Sequence, residues 1–261
     1  MSSSLPPSLV VGRHGNVATL QLNRAQKRNA LDDATVLGIE TFFASIPTDV
    51  RSVVLHADGD HFSAGLDLSE LGETSTFEGV AHSAMWHRVF AQIEFATVPV
   101  VAVLKGAVIG GGLELAAAAH IRVAERSSFY AFPEGQRGLF VGGGGSVRVS
   151  RLIGAHRVAD LMLTGRVLSA DEAQGLGLSH YVVDDGAGFE KAIELATRIA
   201  TNSAVTNFAI IHALPRIAES NGATGYLIES LMAAIAQGSD EAKERMRAFL
   251  DGSAARVGAA E

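Results

Sequence analysis

The longest apolar run in the chain, Val98 to Ala119, is interrupted by Lys105, by Gly110–Gly112 and by Glu114. A bilayer-spanning helix would carry a heavy penalty for those groups, so the run reads as protein interior. Pro99–Leu104 is strand-like with no polar alternation, the pattern of a strand covered on both faces. Three glycines follow, and Leu113–Ala119 then has helical character. A strand that passes through glycines straight into a helix leaves the first helical N–H groups without internal partners, at the positive end of the helix dipole. Such an end can hold a carbonyl oxygen as it becomes negative, provided the glycines keep side chains out of the way. Close strand–helix packing would use the same residues. A phosphate loop fits badly, because Gly-Lys-Ser/Thr does not follow the glycines, and a dinucleotide fingerprint needs another spacing. Glu114, in the first helical turn, could catalyse or simply complement the dipole.

Elsewhere, Val17–Leu22 alternates after Gly15–Asn16 and reads as the second arm of a hairpin beginning near Leu9. Asp32–Asp33 can cap a helix running to about Ile46, with Leu37, Phe42 and Phe43 on its buried side. Ser52–Ala57 is a short β-branched run, Phe77–Phe95 has helical spacing, and short strands are expected at Ile121–Ala124 and Phe129–Phe132. From about Ala155 the chain reads as nearly all helical. Leu227, Ile228, Leu231, Met232 and Ile235 form one apolar stripe, and Ala242, Met246, Phe249 and Leu250 another. Those stripes must be buried against the core or a neighbouring subunit. With 261 residues, 48% of them hydrophobic, the pattern predicts a mixed α/β core over 1–195 and a helical region over 196–261.

Several function classes are disfavoured. The 21 basic and 28 acidic residues leave a formal charge of −7 with no long like-charge run, which offers no footprint for nucleic acid. The absence of cysteine removes disulfides, thiolate metal sites and a thiol nucleophile. Asp58, Asp60, His61 and Asp67 are metal-like by type, but their spacing matches neither an EF-hand nor a zinc motif, so no metal site is expected. Met1–Pro7 has neither the basic residue nor the apolar run of a signal peptide, and a cytoplasmic protein is expected.

Two further segments could carry chemistry. In His61–Leu68, the small residues Ala64 and Gly65 allow a ligand close approach to the main chain. In Phe132-Pro133-Glu134-Gly135, the proline stiffens the chain before a carboxyl set among apolar residues. Burial there disfavours the charged form and raises the pKa toward the range of a general acid. Gly142–Gly145 follows. Taken singly, each segment reads better as an ordinary loop.

Together, in order and spacing, these segments resemble the crotonase (enoyl-CoA hydratase/isomerase) superfamily, enoyl-CoA hydratase most of all. Asn23–Leu31 looks like its N-terminal signature, Phe62–Leu68 and Gly106–Glu114 like its two oxyanion-hole segments, and Pro133–Gly154 like the segment carrying its second glutamate. Leu163–Arg166, Ala170–Ala173 and Gly175–Leu178 match in turn. The resemblance implies an α/β fold, a spiral of ββα units followed by a helical C-terminal trimerisation region. It implies that the N–H groups of Ala64 and Gly111 form the oxyanion hole, with Glu114 as base and Glu134 as acid for hydration of 2-trans-enoyl-CoA. Arg28 and Ala64 would hold the phosphorylated end of coenzyme A, which enters as part of the substrate, with no separate cofactor. Leu66, Leu71, Trp86, Phe140 and Val141 would line the acyl pocket. A homotrimer or homohexamer is implied. The rival readings are a Δ3,Δ2-enoyl-CoA isomerase, which needs only the second glutamate, and a catalytically silent RNA-binding scaffold, against which the acidic balance speaks. Departures from the family pattern are Phe140-Val141 in place of a residue followed by proline, Gly143 in place of alanine, and Glu244-Arg245 in place of Glu-Gly.

Overall fold

A computed structural model of the chain describes residues 5–70, 72 and 75–253. The chain divides into two units, Met1–Ala200 and Thr201–Glu261. The boundary falls just after a helix ending at Ala200, not inside it at 195.

The first unit opens with the hairpin β1 (Leu9–His14) and β2 (Val17–Leu22), as the alternation predicts. Helix α1 (Asp33–Ala44) follows, and its cap Asp32 accepts the Thr35 N–H at 2.8 Å. Its buried stripe is Val36, Ile39, Phe42 and Phe43, whereas Leu37, expected inside, is 41% exposed. Strand β3 (Ser52–Ala57) leads to α2 (Thr76–Glu94), begun by a Ser75/Glu78 capping box. Then come β4 (Val100–Leu104), β5 (Ala107–Ile109), α3 (Gly111–Ala118), β6 (Ile121–Glu125) and β7 (Phe129–Ala131). The unit ends with α4 (Gly145–Ile153), α5 (Ala155–Thr164), β8 (Leu168–Ser169), α6 (Ala170–Gly175), β9 (Tyr181–Val183) and α7 (Gly188–Ala200).

Two sheets result. One has the order β1-β2-β3-β4-β6-β9, parallel apart from the hairpin, and the other the order β5-β7-β8. The chain steps repeatedly between them. β4 in the large sheet is followed by β5 in the small one and then α3, and β6 is followed by β7 and then α4. After β3, Ser63 makes a single bridge to Val108 in β5 before the chain enters α2. This is the expected spiral of ββα units. The large sheet is covered on both faces, as its unbroken apolar strands require. Val53, Leu55, Ala102 and Leu104 face the main core, while Val54, Val101 and Val103 pack with Ala192, Leu195 and Ala196 of α7.

The second unit is helical: α8 (Ala204–His212), α9 (Leu214–Glu219), α10 (Gly222–Gly238) and α11 (Asp240–Leu250). Among the described residues no helix is long and apolar enough to cross a membrane.

Candidate active site

Two backbone loops meet at the edge of the small sheet. The first, after β3, is moored to β5. Phe62 N–H donates to the Lys105 carbonyl at 2.7 Å, Ser63 N–H to Ala107 at 2.9 Å, and Ile109 N–H returns to Ser63 at 3.1 Å. Its outer side rests on the Asn23–Leu31 segment. The Asn29 amide donates to the carbonyls of Asp58 and His61, both at 2.8 Å, and Leu31 exchanges backbone bonds with Gly65 and Asp67. Asp67 is locked by the Ser69 hydroxyl, Lys27 and Arg24, which hold its carboxyl well below the usual range. His61 Nδ1 accepts the Ala107 N–H at 3.1 Å. Asp67 and His61 are thus structural, and no group of three potential metal ligands gathers among the described residues.

The second loop is the Gly110 turn into α3. Gly65, at φ 91°, lies so close that a β-carbon there would sit 2.8 Å from the Ile109 carbonyl and 3.2 Å from the Gly111 nitrogen. A β-carbon on Gly111 would in turn lie 3.4 Å from the Leu66 nitrogen. This corrects the expected oxyanion pair. Ala64 lines the cleft, but its N–H already donates to the Arg28 carbonyl at 2.9 Å. Gly111 and Leu66, which meet where the two loops approach, have N–H groups with no acceptor among the described residues.

Glu114, one turn into α3, is buried, and its Oε1 accepts the N–H groups of Gly143 and Gly145, each at 2.8 Å. The glycine run is a mould around this carboxylate. A β-carbon on Gly143 would fall 2.8 Å from Glu114 Oε2, and one on Gly145 would fall 3.0 Å from Glu114 Cγ. Sequence reasoning noticed the four glycines but not their purpose, which depends on a residue far upstream. Burial pushes the Glu114 carboxyl up, while the two amides and the Arg148 charge pull it back.

Glu134 follows Pro133 and begins a short 3-10 turn, Gly135–Arg137. Its Oε1 faces the Gly110 Cα, and its buried Oε2 has no hydrogen-bond partner among the described residues. Burial, with help from the Glu114 charge, raises this carboxyl to about 7 against its own backbone amide and Arg137. The two carboxyls therefore differ in kind. Glu114 has donors waiting for its anion, and Glu134 has an orphan oxygen that favours a proton.

The raised value has a consequence for stability. Glu134 binds its proton more tightly folded than unfolded, so the native state is favoured below 4.5 and loses that advantage as pH rises to about 7. Glu134→Gln is expected to stabilise the protein by about 1–2 kcal/mol at about pH 8, a figure discounted for partial solvent access. The gain should vanish near pH 4.5, as chemical denaturation at the two pH values will show.

Both glutamates line a cleft of about 190 Å³ with Leu66, Trp86 and Phe140. Val141 does not line it, since its side chain turns into the main core, 7% exposed. Leu71 lies outside the described residues. Arg28 borders an adjoining groove that shares Ala64, Leu66, Leu68 and Arg137 with the cleft. Arg137, Ser83 and His82 border the cleft without having been singled out in the sequence. His82 and Ser83 lie on a helix whose buried stripe alone was legible, and Arg137 follows Glu134 in a turn with no periodicity.

Residues 12–256 match the family model described as enoyl-CoA hydratase/isomerase. The short-chain-enoyl-CoA hydratase of Clostridium acetobutylicum is 31% identical over 247 residues, covering 94% of this chain and 95% of that one. Among solved structures, a candidate enoyl-CoA hydratase from Rhodopseudomonas palustris is 57% identical with a TM-score of 0.93, covering 97% of this chain and 98% of that one. Another, from Thermobifida fusca and in complex with acetoacetyl-CoA, is 25% identical with a TM-score of 0.80, covering 88% and 94%.

Proposed function

The chain belongs to the enoyl-CoA hydratase/isomerase family, and on that footing we propose that it is a hydro-lyase adding water reversibly to 2-trans-enoyl-CoA to give 3-hydroxyacyl-CoA. The observation that carries this reading is the pair of unlike carboxyls in one cleft beside two free backbone N–H groups. The thioester oxygen accepts from Leu66 and Gly111, which draws electrons from the alkene and makes the β-carbon electrophilic. Glu114 takes a proton from water as its oxygen bonds the β-carbon. Glu134 gives its proton to the α-carbon as the enolate collapses, and the reverse sequence is dehydration. Both carboxyls serve one face of the alkene, so addition is syn.

The groove beside Arg28 takes the phosphorylated end of coenzyme A, which is part of the substrate. Water addition changes no overall oxidation state, so the reaction calls for no redox cofactor, and the two N–H groups supply the polarisation of the carbonyl that a metal would otherwise provide. A step of fatty acid β-oxidation in the cytoplasm suits this chemistry. An isomerase would need only Glu134, and the mould built around Glu114 favours hydration. Purified protein with crotonyl-CoA should show loss of the enoyl absorbance. Turnover of a 3-enoyl-CoA with none of crotonyl-CoA would instead establish the isomerase.

In the helical unit Tyr226, Leu227, Leu231 and Ile235 of α10 and Met246, Phe249 and Leu250 of α11 are all more than half exposed. Apolar stripes of this extent are expected to be covered by other copies, in a homotrimer or a dimer of trimers. Sedimentation should give a mass of three or six chains, and a monomer would contradict it.

A further inference from the structure

We infer that Arg148, held by Glu94, is a positioning residue for the base: through the Gly142–Gly145 loop it fixes Glu114 with Oε1 bound and Oε2 left for the proton. The inference rests on the reading of Glu114 as base. The Arg148 side chain, on α4, is only 10% exposed. Its Nε donates to Glu94 Oε2 at 2.7 Å, and its Nη1 donates to the Gly143 carbonyl at 3.0 Å. Glu94 closes α2, and its other oxygen takes a bond from Arg151 at 3.3 Å. The guanidinium also fills the space that a side chain on Gly144 would need. On the opposite side of this loop, the amides of Gly143 and Gly145 grip Glu114 Oε1.

A run of four glycines has more backbone freedom to lose than any other sequence, so the loop cannot hold its own shape. The ties must come from outside. Ser83 supplies one, its hydroxyl donating to the Gly142 carbonyl at 2.5 Å, and Arg148 supplies the charged one. Arg148 binds the carbonyl of the same residue whose amide binds Glu114, so guanidinium, loop and carboxylate form one continuous chain of contacts. Its positive charge also favours the ionised base across that single residue. The remaining titratable and charged groups around the loop are Glu134 and Arg137, which follow β7, and His82 and His87 on α2. Among the described residues none of these hydrogen-bonds the Gly143 carbonyl, whereas Arg148 does.

The test uses the full chain and two readouts. Glutamate carboxyl ¹³C NMR follows the Glu114 titration in the parent and in Arg148→Gln, with Glu114→Gln used to assign the signal. In parallel, kcat and KM for crotonyl-CoA are measured across pH. Arg148→Gln is expected to raise the Glu114 midpoint by about one pH unit and to move the acidic limb of kcat with it, while KM changes less than about threefold. An unmoved midpoint with kcat lowered equally at every pH would mark Arg148 as a packing residue and overturn the inference. Should Arg148→Gln fail to fold, Arg148→Lys keeps the charge but cannot reach Glu94 and Gly143 together. A fall in kcat of about tenfold with KM unchanged then supports positioning, and kcat within twofold of the parent rejects it. The NMR titration needs no turnover, so a parent without hydratase activity would count against the proposed reaction and leave this result standing.

Discussion

Glu114→Gln is expected to lower kcat for crotonyl-CoA hydration by about 10³–10⁴, with substrate affinity changed by no more than a few-fold. The substitution is close to a clean deletion of the base. A glutamine can turn its carbonyl oxygen toward the Gly143 and Gly145 amides and keep both bonds at the position where Oε1 now accepts them. Its NH₂ group then takes the place of Oε2, and an amide nitrogen cannot receive a proton from water. Fold, cleft shape and the loop therefore survive while the chemistry does not. The uncharged amide also relieves Glu134 of the neighbouring charge that helps to raise it, so the acid should titrate somewhat lower in this variant. Stopped-flow absorbance gives kcat, and isothermal titration with a non-reacting acyl-CoA gives affinity. Hydration at a rate within about tenfold of the parent would show that Glu114 is a structural partner of the glycine loop and nothing more.

That alternative was open in the sequence, and the structure sets Glu114 in the cleft with two amide donors on its Oε1. Where side-chain type or period marks a whole element, the sequence spoke clearly: β3 begins and ends where its short β-branched run does, and α2 within one residue of its helical spacing. Strands β5, β8 and β9 have two or three residues each, too few for any period to register. The two glutamates were legible because their apolar and glycine-rich surroundings are themselves local sequence. The amide proposed as the oxyanion donor was not. A backbone N–H carries no side-chain signature, and which amide of the Ala64–Leu66 stretch remains free is decided by the Arg28 carbonyl, contributed by a distant segment with φ near 50° at both Arg28 and Asn29. Val141 was misplaced for a related reason. It neighbours Phe140, and a loop gives no rule for which of two adjacent apolar side chains turns inward, where Phe140 is 71% exposed and Val141 7%.

Gly65→Ala tests that free amide most directly, and is expected to cost about 10²–10³ in kcat and several degrees in Tm. Two costs arise at one atom. At φ 91° a β-carbon is strained whatever space surrounds it, a penalty of about 1–3 kcal/mol. The same carbon would press to 2.8 Å on the Ile109 carbonyl, a backbone atom that no rotamer change can move aside. The only relief is for the two loops to separate, and separation carries the Leu66 N–H away from that of Gly111. Each oxyanion donor lost or misaligned costs about 3–4 kcal/mol of barrier, so even a partial shift is felt chiefly in kcat. Gly15→Ala serves as the control. It carries a similar backbone penalty at φ 57°, with open space around it in the β1–β2 turn, so it should lower Tm and leave kcat unchanged. Equal losses of Tm in the two variants with parental kcat in both would mean that the Gly65 and Gly111 loops do not jointly hold the thioester.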